Sequence, residues 1–387
     1  MAYSVTSSFI AESRGRAPNV VRSFTFGGSD YTDHVMRWPR ISRRWDEIQP
    51  KTITIKLANG DQAFNFIQAD KTKLEGQAVL SMGFDAETIE LFAGTVRKVA
   101  YNNEICSLTI VDKFKQLSER IVGKSDDPVS YTSSNYLPSD LAWYAVTSYG
   151  GYSNVKSTSN VDIDYAAFET WAAVFSGDSV LMQARWTGQK VTEILKKISR
   201  QTHSAIFIKE SKLTFHRFSL VDTNISSLGP DQIHNMQLNF ATDDITNRQY
   251  VALSYSVTSD YHTATIVAAT SSSVNSFGLK ENLIKDDTLW YVDSASAINL
   301  AERLLLSNAA PDDHINITAG LVGLPRLIGE TITVGDAFHS INQSYRILEH
   351  SIDMDKGITQ FGIDRTQLFG GFILNTSSLD STADVLS

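Results

Sequence analysis

Asp162 and Asp164, and again Asp353 and Asp355, stand one residue apart, and alternate residues of an extended chain share a face. Either pair would bind calcium through its carboxylates, or divide acid and base roles across a scissile bond. Against this, Asp353 and Asp355 lie at a hairpin tip, where aspartates serve turns and stay solvated. Asp162 and Asp164 adjoin a Ser/Asn-rich loop. His203 and His216 bracket another hairpin and would meet in space only if its strands brought them together. None of the eight histidines forms a His-x-x-x-His or His-x-His pair. No Gly-x-Ser-x-Gly elbow, Gly-x-Gly-x-x-Gly turn or phosphate loop is present either. The single cysteine, Cys106, excludes an internal disulfide and any multi-thiolate cluster, and reads as a small buried apolar residue. The residues therefore assign no catalytic, cofactor-binding or metal-ligating position and no cofactor.

Charge and length narrow the class further. A formal charge of −9 over 387 residues argues against a nucleic-acid binder, because releasing phosphate counterions needs an excess of Lys and Arg. The same charge suits a surface past which DNA slides without sticking. The basic run Arg37, Arg40, Arg43 and Arg44, with Trp38 and Trp45 interleaved, has Asp30, Asp33, Asp46 and Glu47 within reach. It reads as a protein contact or plain surface rather than a nucleic-acid patch. No stretch nears the ~18 uncharged apolar residues of a spanning helix, and the first residues lack the pattern of a secretory signal.

The elements that would position these residues are mostly strands. Ile53, Ile55 and Leu57 alternate with Thr52, Thr54 and Lys56, and further short strands run through Thr88–Ala93, Thr95–Tyr101 and Ile105–Val111, predicting a barrel or sandwich. Residues 124–160 are rich in Ser, Tyr, Asn and Gly and read as a long surface segment around one helix near Leu141–Ser148. Val191, Ile194, Leu195 and Ile198 fall at helical spacing, predicting an amphipathic helix over Lys190–Arg200. A hairpin follows, Ala205–Ile208 and Leu213–His216 around Glu210-Ser211. Tyr250–Val257 pairs with His262–Ala268, and strands recur at Ile315–Ala319, Thr331–Val334, Tyr345–Met354 and Ile358–Ile363. Between them stands one helix, Ser294–Ser307, capped by Asp293 or Ser294.

A repeat joins the two ends. Residues 74–83, LEGQAVLSMG, match residues 327–335, LIGETITVG, with Leu74 over Leu327, Gly76 over Gly329, Gln77 over Glu330 and Val79 over Ile332, an offset of 253. Each copy runs on to an apolar-Asp pair and a leucine: Val111-Asp112 with Leu117, and Ile363-Asp364 with Leu368. A duplicated β-unit presents two similar surfaces per chain, so a ring shows twice as many similar sites as subunits.

The order of these parts resembles the baseplate hub or tail-tip hub proteins of tailed bacteriophages and related contractile injection systems. The residues that carry it are Leu74-Glu75-Gly76, Leu91-Phe92-Ala93-Gly94-Thr95-Val96, Val111-Asp112 and Leu117, the helix and hairpin of Val191–Phe215, and Gly329-Glu330-Thr331-Ile332 through Phe361-Gly362-Ile363-Asp364. It covers about Ser23 to Leu368. It implies a mainly β fold with an α+β insertion, two similar antiparallel β-barrel domains separated by a smaller α/β region. The expected division is 1–20 as an N-terminal arm, 21–123 as the first barrel, 124–234 as the α/β region with its long polar segment, 235–368 as the second barrel and 369–387 as a C-terminal tail. It further implies a structural virion protein of the tail, not an enzyme, assembled in the host cytoplasm as a homotrimer. That trimer would adapt a hexameric tail tube or distal tail protein ring to a threefold tip, a separate spike or fibre protein, while DNA passes through. No membrane binding and no sequence-specific nucleic-acid contact are expected. Three other readings stay open: a hexameric distal tail ring protein, a cell-wall or polysaccharide-degrading enzyme built on Asp162 and Asp164, and a carbohydrate-binding adhesin with Tyr131, Tyr136, Trp143, Tyr149 and Tyr152 in an exposed row.

Overall fold

Period-two alternation of apolar residues sends more of the chain into strands than into helices, with alternate side chains buried. The computed structural model describes residues 3–15, 18–65, 67, 76–84, 87–218, 224–241, 245–309, 312–336, 341–365 and 373–374. The chain opens with helix α1 (Ser7–Ser13) and strands β1 (Val20–Phe26), β2 (Ser29–Asp30), β3 (Val35–Arg37), β4 (Arg40–Arg44), β5 (Thr52–Ala58), β6 (Gln77–Phe84), β7 (Glu87–Tyr101) and β8 (Ile105–Val111). The middle carries α2 (Phe114–Glu119), β9 (Ile121–Val122), β10 (Val129–Tyr136), α3 (Pro138–Tyr144), α4 (Tyr165–Gly177), β11 (Met182–Trp186), β12 (Gln189–Lys190), α5 (Val191–Thr202), β13 (Ser204–Lys209) and β14 (Lys212–Arg217). Then come β15 (Asn224–Leu228), β16 (Ile233–Ala241), β17 (Arg248–Ser256), β18 (Tyr261–Thr270), α6 (Ser271–Phe277), β19 (Glu281–Ile284), β20 (Leu289–Tyr291) and α7 (Ser294–Asn308). Five strands close the described chain: β21 (Asp312–Ala319), β22 (Thr331–Asp336), β23 (Ile341–Asp353), β24 (Ile358–Arg365) and β25 (Ile373–Leu374).

These strands form two curled half-barrel sheets and a third, mixed sheet, the mainly β architecture with α+β elements that the sequence predicts. The first sheet runs β2-β1-β6-β7-β8-β5-β3, and the second runs β15-β22-β23-β24-β21-β16 with β4 added to β23. The third runs β10-β11-β20-β17-β18-β25, with β19 beside β17. Helix α7 lies on β17 and β18 of the third sheet. The hairpin β13–β14 is a wedge: Ile206, Leu213 and Phe215 enter the core of the third sheet, while Ala205 and Phe207, on the opposite face, enter that of the first.

The strand pairings divide the chain differently from the expected boundaries. Residues 245–309, placed by the sequence inside a second barrel of 235–368, leave β16, build β17–β20 and α7 in the third sheet, and return at β21. A strand's alternation states that it is half-buried but not which sheet it joins, so this excursion has no local signature. The 1–20 segment also differs from a free arm. Thr6 Oγ1 accepts from the Phe9 backbone N–H at 3.2 Å to cap α1, and Phe9 packs edge-on against Phe84 at 4.9 Å while Tyr3 is buried. The 369–387 tail and Leu368 lie outside the described residues, apart from β25.

Candidate assembly interface

The repeat is a repeat of topology. Four strands in the order β6-β7-β8-β5 match four in the order β22-β23-β24-β21, every neighbour antiparallel in both. Two of the irregularities repeat, while the shift between Leu80 and Ser81 where β6 meets β7 has no counterpart between β22 and β23. Val96 pairs with Ile110, the register then shifts, and Lys98 pairs with Thr109; likewise Ile347 pairs with Ile363, the register shifts, and Glu349 pairs with Gly362. At the flank, Val35 pairs with Leu57 before a shift to Arg37 and Lys56, and Ile233 pairs with Ala319 before a shift to Asn235 and Thr318. A 3-10 turn precedes both flanking strands, Thr32–His34 and Pro230–Gln232. Bulges bend a strand at defined points, so two sheets with bulges in the same places curl alike.

The overlay read from sequence is one residue out. The pairs Gln77 with Thr95 and Thr331 with Arg346 place Gln77 over Thr331 and Ala78 over Ile332, an offset of 254. Ala78, Leu80, Ile332 and Val334 are buried, whereas Val79, earlier set over Ile332, is half-buried and faces the other way. Similarly Ile110, not Val111, lies over Ile363. Leu74 falls outside the described residues.

The two units are joined by β4. Arg40–Arg44 leaves the first sheet and pairs antiparallel with Asp353–Glu349 of β23, Ile41 opposite Ile352. Its arginines work inside the chain: Arg40 Nε donates to Ser351 Oγ at 2.5 Å, Arg43 donates to the Leu91 carbonyl, and Arg44 reaches Glu349 at 3.1 Å and Asp46 at 3.3 Å. From the first sheet, Arg22 Nε donates to the Met354 carbonyl at 2.5 Å. Beneath this seam Arg43, Lys51, Glu90, Asp112 and Phe207 line one small cavity. Burial pushes the Asp112 carboxyl up to about 7, against the opposing pull of the Lys51 and Phe114 backbone N–H groups and the Lys51 charge. Burial likewise raises Glu90 and lowers Lys51.

The residues weighed for chemistry are engaged elsewhere. Asp162 pairs with Lys113 at 2.9 Å and accepts the Ser153 backbone N–H, and Asp164 caps α4 by accepting from Ala167. Asp353 accepts the Lys356 backbone N–H in its hairpin loop, as the turn reading predicts. His203 and His216 take different partners: His203 ends α5 with φ 50° and lies edge-on to Phe218, while His216 Nε2 is 3.1 Å from the Gly329 carbonyl. The aromatic row is not an exposed one. Tyr131 stacks on Tyr144 and meets Tyr136 and Trp186, and Trp143 and Tyr152 are buried in the core of the third sheet. Among the described residues no three His, Cys, Asp or Glu side chains gather as a metal site. No helix among them is long and apolar enough to cross a membrane.

No protein-family model matches the sequence, and no curated protein matches it. Solved structures do match in shape. The tail protein from Neisseria meningitidis MC58 superposes with a TM-score of 0.57 at 12% identity, over 90% of this chain and 97% of that one. The 43 kDa tail protein of prophage MuSo2 from Shewanella oneidensis gives 0.52 at 12% identity, over 90% and 99%. The fold is that of phage tail proteins. In this tail-protein fold the seam between units is the feature that sequence reasoning missed: β4 has one core residue, Ile41, among four polar ones, and only its partner strand explains it.

Proposed function

We propose that the chain is a structural hub of a phage tail, assembling as a homotrimer whose two like units alternate around a ring. Such a ring offers quasi-sixfold symmetry to a tail tube or distal tail ring and threefold symmetry to a separate spike or fibre. The observation that carries this reading is the repeat of strand order, register and bulge position in two sheets of one chain. The tail-protein fold supports the setting, and the formal charge of −9 suits a lumen along which DNA moves without being held. We assign 18–111 and the strands β15–β16 and β21–β24 to the ring, and the third sheet with its helices to an outer or tip-facing body. A non-enzymatic role agrees with the structural duties of Asp162 and Asp164.

Sedimentation and light scattering on the full-length protein, with imaging of the parent particle, test the reading. Three copies per tail are expected. Six copies would return the chain to the distal-ring class, and a lone copy in the particle would defeat the ring. Zymography on peptidoglycan and polysaccharide should show no clearing; clearing lost in Asp162→Asn would overturn the structural role.

A further inference from the structure

A groove of about 380 Å³ opens where α5, β19 and the end of α7 meet beside Trp45. Its walls are apolar at Trp45, Leu283, Ile284 and Leu304, and Leu283 is 55% exposed. His203 also lines it and is only 7% exposed, yet its Nδ1 has no hydrogen-bond partner. A buried polar atom left unpaired is destabilising until a group enters to meet it. One side of the groove is the edge of a sheet. Among the described residues β19 pairs with β17 alone. Lys280 gives its carbonyl to the Arg248 N–H at 3.0 Å, so by alternation the N–H and C=O groups of Glu281 and Leu283 face away from β17. Such an edge is a template for another strand.

The groove is also basic, in a chain of formal charge −9. Lys197, Arg200 and Lys285 line it against one carboxylate, Asp286, which Lys197 holds at 3.0 Å. Arg200 and Lys285 are exposed and make no ion pair among the described residues. Glu281, next to the groove on β19, is taken up by Arg248 at 3.1 Å and Tyr250 at 2.9 Å. The bare edge calls for an extended chain, the apolar walls for apolar side chains on it, and the two free cations for acidic ones. We propose that this groove receives an extended segment of a separate tail protein, apolar and acidic in composition, which adds a strand to β19. The groove lies on the third sheet, outside the repeated sheets assigned to the ring, so a separate chain rather than a ring neighbour is the occupant. That choice rests on the ring reading above.

Full-length protein titrated with a fluorescein-labelled octapeptide that alternates aspartate with leucine tests the groove. Saturable binding to the wild type is expected. Arg200→Glu with Lys285→Glu, folded by circular dichroism, should weaken it by about tenfold or more, and should bind instead the peptide that alternates lysine with leucine. Leu283→Asp should weaken the acidic peptide as well. No binding of the acidic peptide to the wild type, or binding that charge reversal leaves unchanged, overturns the proposal. Imaging of the parent particle then identifies the occupant. A strand of another tail protein beside β19 is the expected result. A strand from a second copy, or an empty groove in a tail with three copies, overturns the proposal and leaves the ring reading standing. A tail without three copies overturns the ring reading and, with it, this choice of occupant.

Discussion

Ile41 lies opposite Ile352 across the seam between the two repeated units, and both are buried. Both belong to the core of the first sheet, so a residue from a strand of the second sheet completes the core of the first, and neither sheet is a separate body with a flexible joint. Truncating Ile41 to alanine removes methylene and methyl groups from a site that cannot collapse, at a cost of about 2–4 kcal/mol. Urea unfolding should show the midpoint fall by that amount in a single transition. Two separated transitions in the variant would contradict a shared core.

Gly329 marks a second close approach. Its φ is +87°, and a Cβ there would lie 2.3 Å from His216 Cδ2 and 3.2 Å from Phe218 Cε1. Gly329→Ala therefore combines a left-handed backbone with overpacking and should cost about 3 kcal/mol. Gly27, at φ +59° with open space around it, isolates the backbone part. Gly27→Ala should cost about 1 kcal/mol, and equal losses in the two variants would remove the steric argument.

Asp112 should give the seam a pH dependence of definite sign. Its carboxyl is raised from 3.8 to about 7, so the folded chain holds a proton that the unfolded chain has released. That contribution is complete below pH 3.8 and is lost as pH rises through 7, roughly 4 kcal/mol in all. Asp112→Asn stays neutral, and its side-chain oxygen can still accept the Phe114 N–H. Melting temperatures of variant and wild type should therefore diverge in favour of the variant between pH 5 and pH 8. A difference that stays flat across that range would refute the buried-acid reading.

How far the sequence carried depends on the range of each interaction. Helix α5 and the hairpin β13–β14 lay where periodicity placed them, because both are set by residues within a few positions: the Val191, Ile194, Leu195 and Ile198 stripe, and Glu210 and Ser211 turning at φ 47° and 61°. Asp293 likewise caps α7 through Ser296, as the cap rule predicts. The repeat was legible as a pattern but slipped by one residue, since the connections differ in length between the units and move the offset from 254 at β6 to 251 at β7 and 253 at β8. The partner of β4 was not legible. Arg40, Ser42 and Arg44 read as surface, and only tertiary pairing turns that run into a seam.

Acid should open the second unit through its own His350 and through His216, which reaches Gly329 from β14. Burial holds His350 down to about 3, where it stacks on Phe361 at 5.1 Å, and holds His216 down to about 4 beside Gly329. Both stay neutral in the fold while the unfolded chain takes up protons near 6.5. Their contribution is therefore present above pH 6.5 and is lost as pH falls toward 4 and 3, roughly 3 kcal/mol for His216 and 5 for His350. His350→Phe keeps the ring against Phe361, cannot protonate, and removes an Nε2 that has no partner. It sacrifices one hydrogen bond to the Gly323 backbone, about 1 kcal/mol at neutral pH. Acid unfolding followed by fluorescence should then move to lower pH in the variant although its neutral-pH stability is slightly reduced. If the acid midpoint stays where it was, the buried imidazole is not what gives way.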